Sequence, residues 1–192
     1  MQEVASRPAH LTIPNLLTIS RIIMIPVFIL VYFLPIKGGP LLAAIIFAAA
    51  GITDWIDGYL ARKWGQMTKL GAFLDPVADK LMVAVALVAL VEAHNNALLT
   101  IPAMVIIGRE ITISALREWM AELGKRASVA VSYIGKVKTT VQMIAITGLI
   151  ANPPDISNWV VWLAYLLLYA ATVLTLWSML LYLKAAWPDL KE

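Results

Sequence analysis

The stretch LLAAIIFAAAGITDWIDGYLAR, residues 41–62, reads as a single helix with two chemical halves. Leu41 to Thr53 carry no charge and are long enough, with the turns that follow, for the roughly 20 apolar residues that cross about 30 Å of hydrocarbon. Asp54, Asp57 and Arg62 then crowd into the last turns. An apolar helix that ends in acids belongs in a membrane, with those acids near one surface. Working outward, five more segments have the same length and character: 13–34, 72–93, 98–120, 133–150 and 159–184. Turn chemistry separates them: Pro35, Gly38, Gly39 and Pro40; Gly65; Asn95 and Asn96; Gly124; and Asn152, Pro153 and Pro154.

Composition agrees. Of 192 residues 61% are hydrophobic and 14% charged, against about 25% charged in an ordinary soluble domain. The net charge of +3 does not imply a nucleic-acid partner, because the basic residues fall between apolar runs and form no soluble basic face. All Lys and Arg except Lys37 fall on one side of the six spans, which makes that side cytoplasmic and places both termini there. The absence of cysteine excludes disulfides, thiolate catalysis and Cys-ligated metals. The first span is long and lacks a small-residue cleavage pattern, so it is expected to stay in the mature protein. The expected architecture is an all-α integral membrane bundle of six transmembrane helices. Residues 1–12 would form a short interfacial segment, 13–184 one membrane domain and 185–192 a cytoplasmic tail. Trp159, Trp162, Trp177 and Trp187 suit an interfacial belt.

Four aspartates break the apolar pattern. At about 100° per residue, Asp54, Asp57, Gly58, Ala61 and Arg62 share one side of the second segment, and Gly71, Asp75 and Asp79 form a stripe on the third. The short connection makes these segments antiparallel neighbours, so the four acids share a depth. Ionised carboxylates there repel one another and lose hydration, and so recruit cations. Two divalent ions would balance them, and an all-oxygen ligand set prefers Mg²⁺ or Mn²⁺ to zinc. Gly58, Ala61 and Gly71 keep the helix surfaces low enough for a ligand to approach the backbone, and Arg62 can grip a phosphate with both guanidinium arms. A metal-bound pyrophosphate fits this combination. The plainer structural alternative is packing by ion pairs such as Asp57 with Arg62 or Asp79 with Lys80, but four acids on adjacent helices exceed what packing needs.

The spacing Asp54-x-x-Asp57-Gly58-x-x-Ala61-Arg62, then Gly71-x-x-x-Asp75-x-x-x-Asp79, resembles the signature of the CDP-alcohol phosphotransferase family at every defining position. The resemblance extends to bacterial members that use glycerol 3-phosphate, through residues 13–18, 108–119 and 135–140. It implies a six-helix homodimer in the bacterial cytoplasmic (inner) membrane, a cavity open to the cytosol, and two metal ions. Asp54 and Asp75 would bridge both ions, Asp57 would complete the first, and Asp79 would touch the second and act as the base. Gly58, Arg62 and Thr68 would contact the CDP moiety of CDP-diacylglycerol, with Asn15, Thr18 and Arg21 bordering that site and Ala61 and Gly71 beside it.

An acceptor that carries a phosphate needs its own cations, and Arg109, Arg117, Lys136 and Lys138 are the candidates. Arg109 lies too deep in its segment for easy snorkelling to the interface. Lys125 and Arg126 read as topology determinants, and Glu110 and Glu118 as partners that orient Arg109 or Arg117. Competing readings are the same chemistry on inositol phosphate, serine or phosphatidylglycerol, a membrane prenyltransferase, and an ion transporter. The last would call for repeat symmetry or helices interrupted deep in the membrane, and neither is visible.

Overall fold

The computed structural model describes residues 13–64, 68–124 and 133–190, and every secondary-structure element among them is helical. The helices are α1 (Ile13–Phe33), α2 (Gly39–Trp64), α3 (Lys69–His94), α4 (Ala97–Glu122), α5 (Tyr133–Ala151) and α6 (Trp159–Leu190). Each coincides with one expected span. The expected interfacial segment 1–12 and the loop cations Lys125 and Arg126 lie outside the described residues.

The breaks fall at the predicted punctuation. Gly38 (φ +81°), Asn95 (φ +44°) and Gly124 (φ +72°) adopt the left-handed conformation that glycine enters freely and asparagine tolerates. Asn96 then caps α4, its side chain accepting the Leu99 N–H at 3.0 Å. The largest departure is at the end of α6, which runs to Leu190 and past the expected boundary at Lys184. Ala185, Ala186 and Trp187 contain no breaker, and Pro188, in the final turn, removes only one backbone bond, so the helix continues.

Among the described residues three helices are long and apolar enough to cross a membrane by length and composition: Asn15–Phe33, Ala97–Glu122 and Trp159–Pro188. Gly39–Asp54 and Val137–Ala151 are shorter apolar helices. Large apolar side chains point outward along these helices, among them Ile23, Leu30, Ile45, Met104, Leu166 and Val173, and Trp159, Trp162, Trp177 and Trp187 are exposed with them. So much outward apolar surface has hydrocarbon or interface as its solvent, which makes this an integral membrane protein.

The chain forms two compact units, Met1–Ala89 and Leu90–Glu192. In the first, α1 packs on α2 through Phe28 and Phe47, both fully buried, with ring centroids 6.3 Å apart. In the second, α6 packs on both α5 and α4. Gly148 of α5 faces Ala164 of α6 so closely that an added Cβ would lie 3.2 Å from the alanine methyl. Small residues let helices approach where lipid offers no hydrophobic drive for association. Lower on α6, Tyr182 and Ala186 close a core with Ile113, Leu116 and Met120 of α4.

Candidate active site

Asn15, Thr18 and Arg21 recur every three residues on α1 and share one face, and all three are almost completely buried. Polar groups in that position need partners. Arg21 Nη1 donates to Asp54 Oδ1 of α2 at 2.6 Å. Thr18 Oγ1 donates to Asp75 Oδ1 of α3. Asn15 Oδ1 accepts from Thr68 Oγ1 at 2.8 Å, and that hydroxyl in turn accepts the Gly71 N–H at 3.0 Å, capping the first turn of α3. Gly71 has no room for a side chain: a Cβ would stand 2.7 Å from Asn15 Oδ1 and 3.2 Å from Thr68 Oγ1.

One stripe of α1 therefore fixes three points: an acid on α2, an acid on α3, and the start of α3. Thr18 and Arg21 are one turn apart, so their Cβ atoms are separated by about 5–6 Å, and one face of α1 holds both carboxylates. Each contact engages Oδ1 and leaves Oδ2 outside it. The Arg21 side chain is 1% exposed and that of Asp54 42%. The pair is thus sealed at its cation and open at its carboxylate. Asp79, a turn beyond Asp75 on α3, is half-buried.

Of the other predicted residues here, Asp57, Gly58, Ala61 and Arg62 lie on α2 by backbone, and their side chains are outside the described ones. Among the described residues no three carboxylate or imidazole groups stand together as a metal site. The oxygen-only donors and the outward opening of Asp54 fit a hard divalent ion, with Arg21 and Thr18 orienting its ligands from behind.

The second unit carries the opposite charge. Arg109 of α4 is 7% exposed; its Nη1 donates to Glu110 Oε1 at 2.8 Å and its Nη2 to Ser178 Oγ of α6 at 3.0 Å. Lys138 of α5, equally buried, donates to the same Glu110 oxygen at 2.8 Å. The Ser178 hydroxyl donates in turn to Thr175 O at 2.9 Å. Further along, Arg117 Nη2 donates to the Tyr182 hydroxyl at 3.0 Å. The predicted cations Arg109, Arg117 and Lys138 thus fall in one hydrogen-bonded and ring-stacked group, while the side chain of Lys136 is outside the described ones. Glu110 pairs with Arg109 as expected. Ser178 and Tyr182 carry no sequence motif. The available signal was the polar series Thr172, Thr175, Ser178 and Tyr182, spaced at three and four along an otherwise apolar helix.

Acids presented on two helices and held by a third, in a lipid-facing helical protein, define a membrane protein with oxygen donors suited to a hard cation. The chain matches the CDP-alcohol phosphatidyltransferase family over residues 11–183 and belongs to that family. Its curated relatives include proteins named CDP-diacylglycerol--glycerol-3-phosphate 3-phosphatidyltransferase from Shigella flexneri serotype 5b (strain 8401) and Escherichia coli (strain K12). Each is 57% identical over 180 residues, covering 94% of this chain and 97% of the relative.

Proposed function

We propose that this protein transfers the phosphatidyl group of CDP-diacylglycerol to glycerol 3-phosphate, releasing CMP and phosphatidylglycerol phosphate. The observation that carries the reading is the α1 stripe that holds both Asp54 and Asp75, in a chain 57% identical to relatives named for this reaction. Asp54, Asp57, Asp75 and Asp79 hold two divalent ions, Mg²⁺ or Mn²⁺. Bound there, such ions would supply positive charge for phosphoryl transfer.

The residues divide the remaining work. Gly58, Ala61 and Gly71 keep the helix surfaces low for the nucleotide, Arg62 and Thr68 bind its phosphates, and Asn15, Thr18 and Arg21 border it while orienting the acids. The C1 hydroxyl of glycerol 3-phosphate attacks the lipid-side phosphorus. A new P–O bond forms, the P–O bond to CMP breaks, and Asp79 accepts the hydroxyl proton. Arg109, Arg117, Lys136 and Lys138 bind the acceptor's phosphate. Arg109 and Lys138 meet on one carboxylate oxygen of Glu110, and Arg117 is held beside them by Tyr182, so the described group gathers three cations suited to an anion. The protein works as a homodimer in the bacterial cytoplasmic membrane, as one domain over residues 13–184, with termini and active site facing the cytoplasm.

The decisive experiment incubates purified protein with CDP-diacylglycerol and Mg²⁺ and measures CMP release with glycerol 3-phosphate, inositol phosphate, serine or phosphatidylglycerol as acceptor. Release with glycerol 3-phosphate alone is expected. Preference for another acceptor overturns the substrate assignment, and no release with any acceptor overturns the reaction.

A further inference from the structure

Arg109, buried, and Arg117, exposed, stand two turns apart on α4, and like charges drawn together repel each other. Both nevertheless face one aromatic ring. The Cζ of Arg109 lies 5.7 Å from the ring centroid of Tyr182, and that of Arg117 lies 5.2 Å from it. Guanidinium groups at this range are drawn to the negative face of an aromatic ring. The Tyr182 hydroxyl adds an acceptor for Arg117 Nη2. Arg109 has other anchors in Glu110 and Ser178, whereas among the described residues Tyr182 is the one partner of Arg117. Its side chain is also well buried against Ile113, Leu116 and Met120, so the ring is fixed by packing and cannot follow the cations.

We infer that Tyr182 is a positioning residue for the acceptor phosphate: it holds the guanidinium groups of Arg109 and Arg117 on one ring so that they bind a phosphate monoester dianion together. The inference rests on the reading of these arginines as the acceptor site. Without the ring, Arg117 loses its anchor and extends into solvent, and the phosphate meets one fixed cation in place of two. Two guanidinium groups facing one ring favour an anion as the ligand, and a fixed geometry lowers the ordering cost of binding it.

The test separates positioning from packing. Tyr182→Leu keeps an apolar side chain in the core and removes both the ring and the hydroxyl. It should raise the KM for glycerol 3-phosphate roughly tenfold, the size of two modest cation–π contacts, against less than about twofold for CDP-diacylglycerol. Tyr182→Phe keeps the ring and should raise the acceptor KM about threefold, in line with one net hydrogen bond. In an Arg117→Ala background, adding Tyr182→Phe should change nothing further, because the hydroxyl acts through Arg117.

Equal rises for both substrates, or a full additional effect of Tyr182→Phe without Arg117, would reduce Tyr182 to a packing residue and overturn the inference. If Tyr182→Leu does not fold, judged by its thermal melting, Tyr182→Phe and the double variant decide. Arg109→Ala and Arg117→Ala distinguish the two levels of failure. Should they raise the acceptor KM selectively while the Tyr182 variants do not, the role of Tyr182 falls and the acceptor site stands. Should they not, the acceptor site falls and takes this role with it.

Discussion

The two charged regions of this protein solve opposite problems by different means. In the first unit, among the described residues, Asp54 and Asp75 are held from behind by Arg21 and Thr18, and Asp54 remains partly open to solvent. In the second unit two cations, Arg109 and Lys138, converge on a single Glu110 oxygen. An unbalanced charge in apolar surroundings is costly unless a ligand of opposite sign completes it. On the proposed reading the acidic region receives a hard cation, and the cationic region a phosphate. The supports differ accordingly. Carboxylates that bind metal are held by donors that leave one oxygen free, while guanidinium groups that bind phosphate are held by an acid, a hydroxyl and an aromatic face.

The contrast can be broken at its strongest point by Asp75→Asn. This keeps a side-chain oxygen near Thr18 but removes the charge that binds metal. Turnover should fall by more than the roughly 10–100-fold that loss of an outer partner costs. A Mn²⁺ titration followed by electron paramagnetic resonance should show weakened binding, and unchanged metal binding would remove Asp75 from the ligand set. Thr18→Val tests the layer behind. Loss of its hydroxyl should weaken Mn²⁺ binding by about 10–100-fold, while Arg109→Ala, in the other region, should leave Mn²⁺ binding as it was.

A smaller effect is expected from Gly71→Ala. Alanine is the better helix former by about 1 kcal/mol, but a Cβ 2.7 Å from Asn15 Oδ1 adds overpacking of about 1–3 kcal/mol. The balance is destabilising, so the melting temperature should fall, and a rise would show that Asn15 moves aside freely. The smallest effect belongs outside both regions. Asp155, in the loop between α5 and α6, accepts from the Oγ and the N–H of Ser157 at 2.8 and 2.9 Å. These bonds, the hydroxyl foremost, hold its carboxyl below the usual value. A lowered folded-state pKa means that the stabilisation is present at neutral pH and is lost as pH falls through and below about 4. The small melting difference between Asp155→Ala and the parent protein should therefore shrink between pH 6 and pH 3, and a difference that grew on acidification would reverse the assignment.

Much of this was legible in the chain itself. Left-handed Gly38, Asn95 and Gly124 stand where glycine and asparagine punctuate the apolar runs, because few residues enter that conformation cheaply. Asp54, Asp75 and Arg109 announced themselves as charges in apolar segments. The supporting residues were harder to read. Asn15, Thr18 and Arg21 entered through family resemblance as neighbours of the nucleotide, and their grip on Thr68, Asp75 and Asp54 joins positions more than thirty residues apart. Tyr182 looked like any aromatic residue in a long apolar helix, and the far end of α6 carried no stop signal before Pro188.

By itself the sequence determined the helical membrane architecture, the places where the helices break, and the identity of the charged groups. These follow from hydrocarbon thickness, local backbone preference and the cost of burying charge, all of which act on a few neighbouring residues at a time. Only the tertiary structure decided which donor holds which acid, why Gly71 has no room for a side chain, and how one tyrosine comes to face two arginines. Those contacts depend on which faces of separate helices meet, and helix periodicity gives each face without naming its partner.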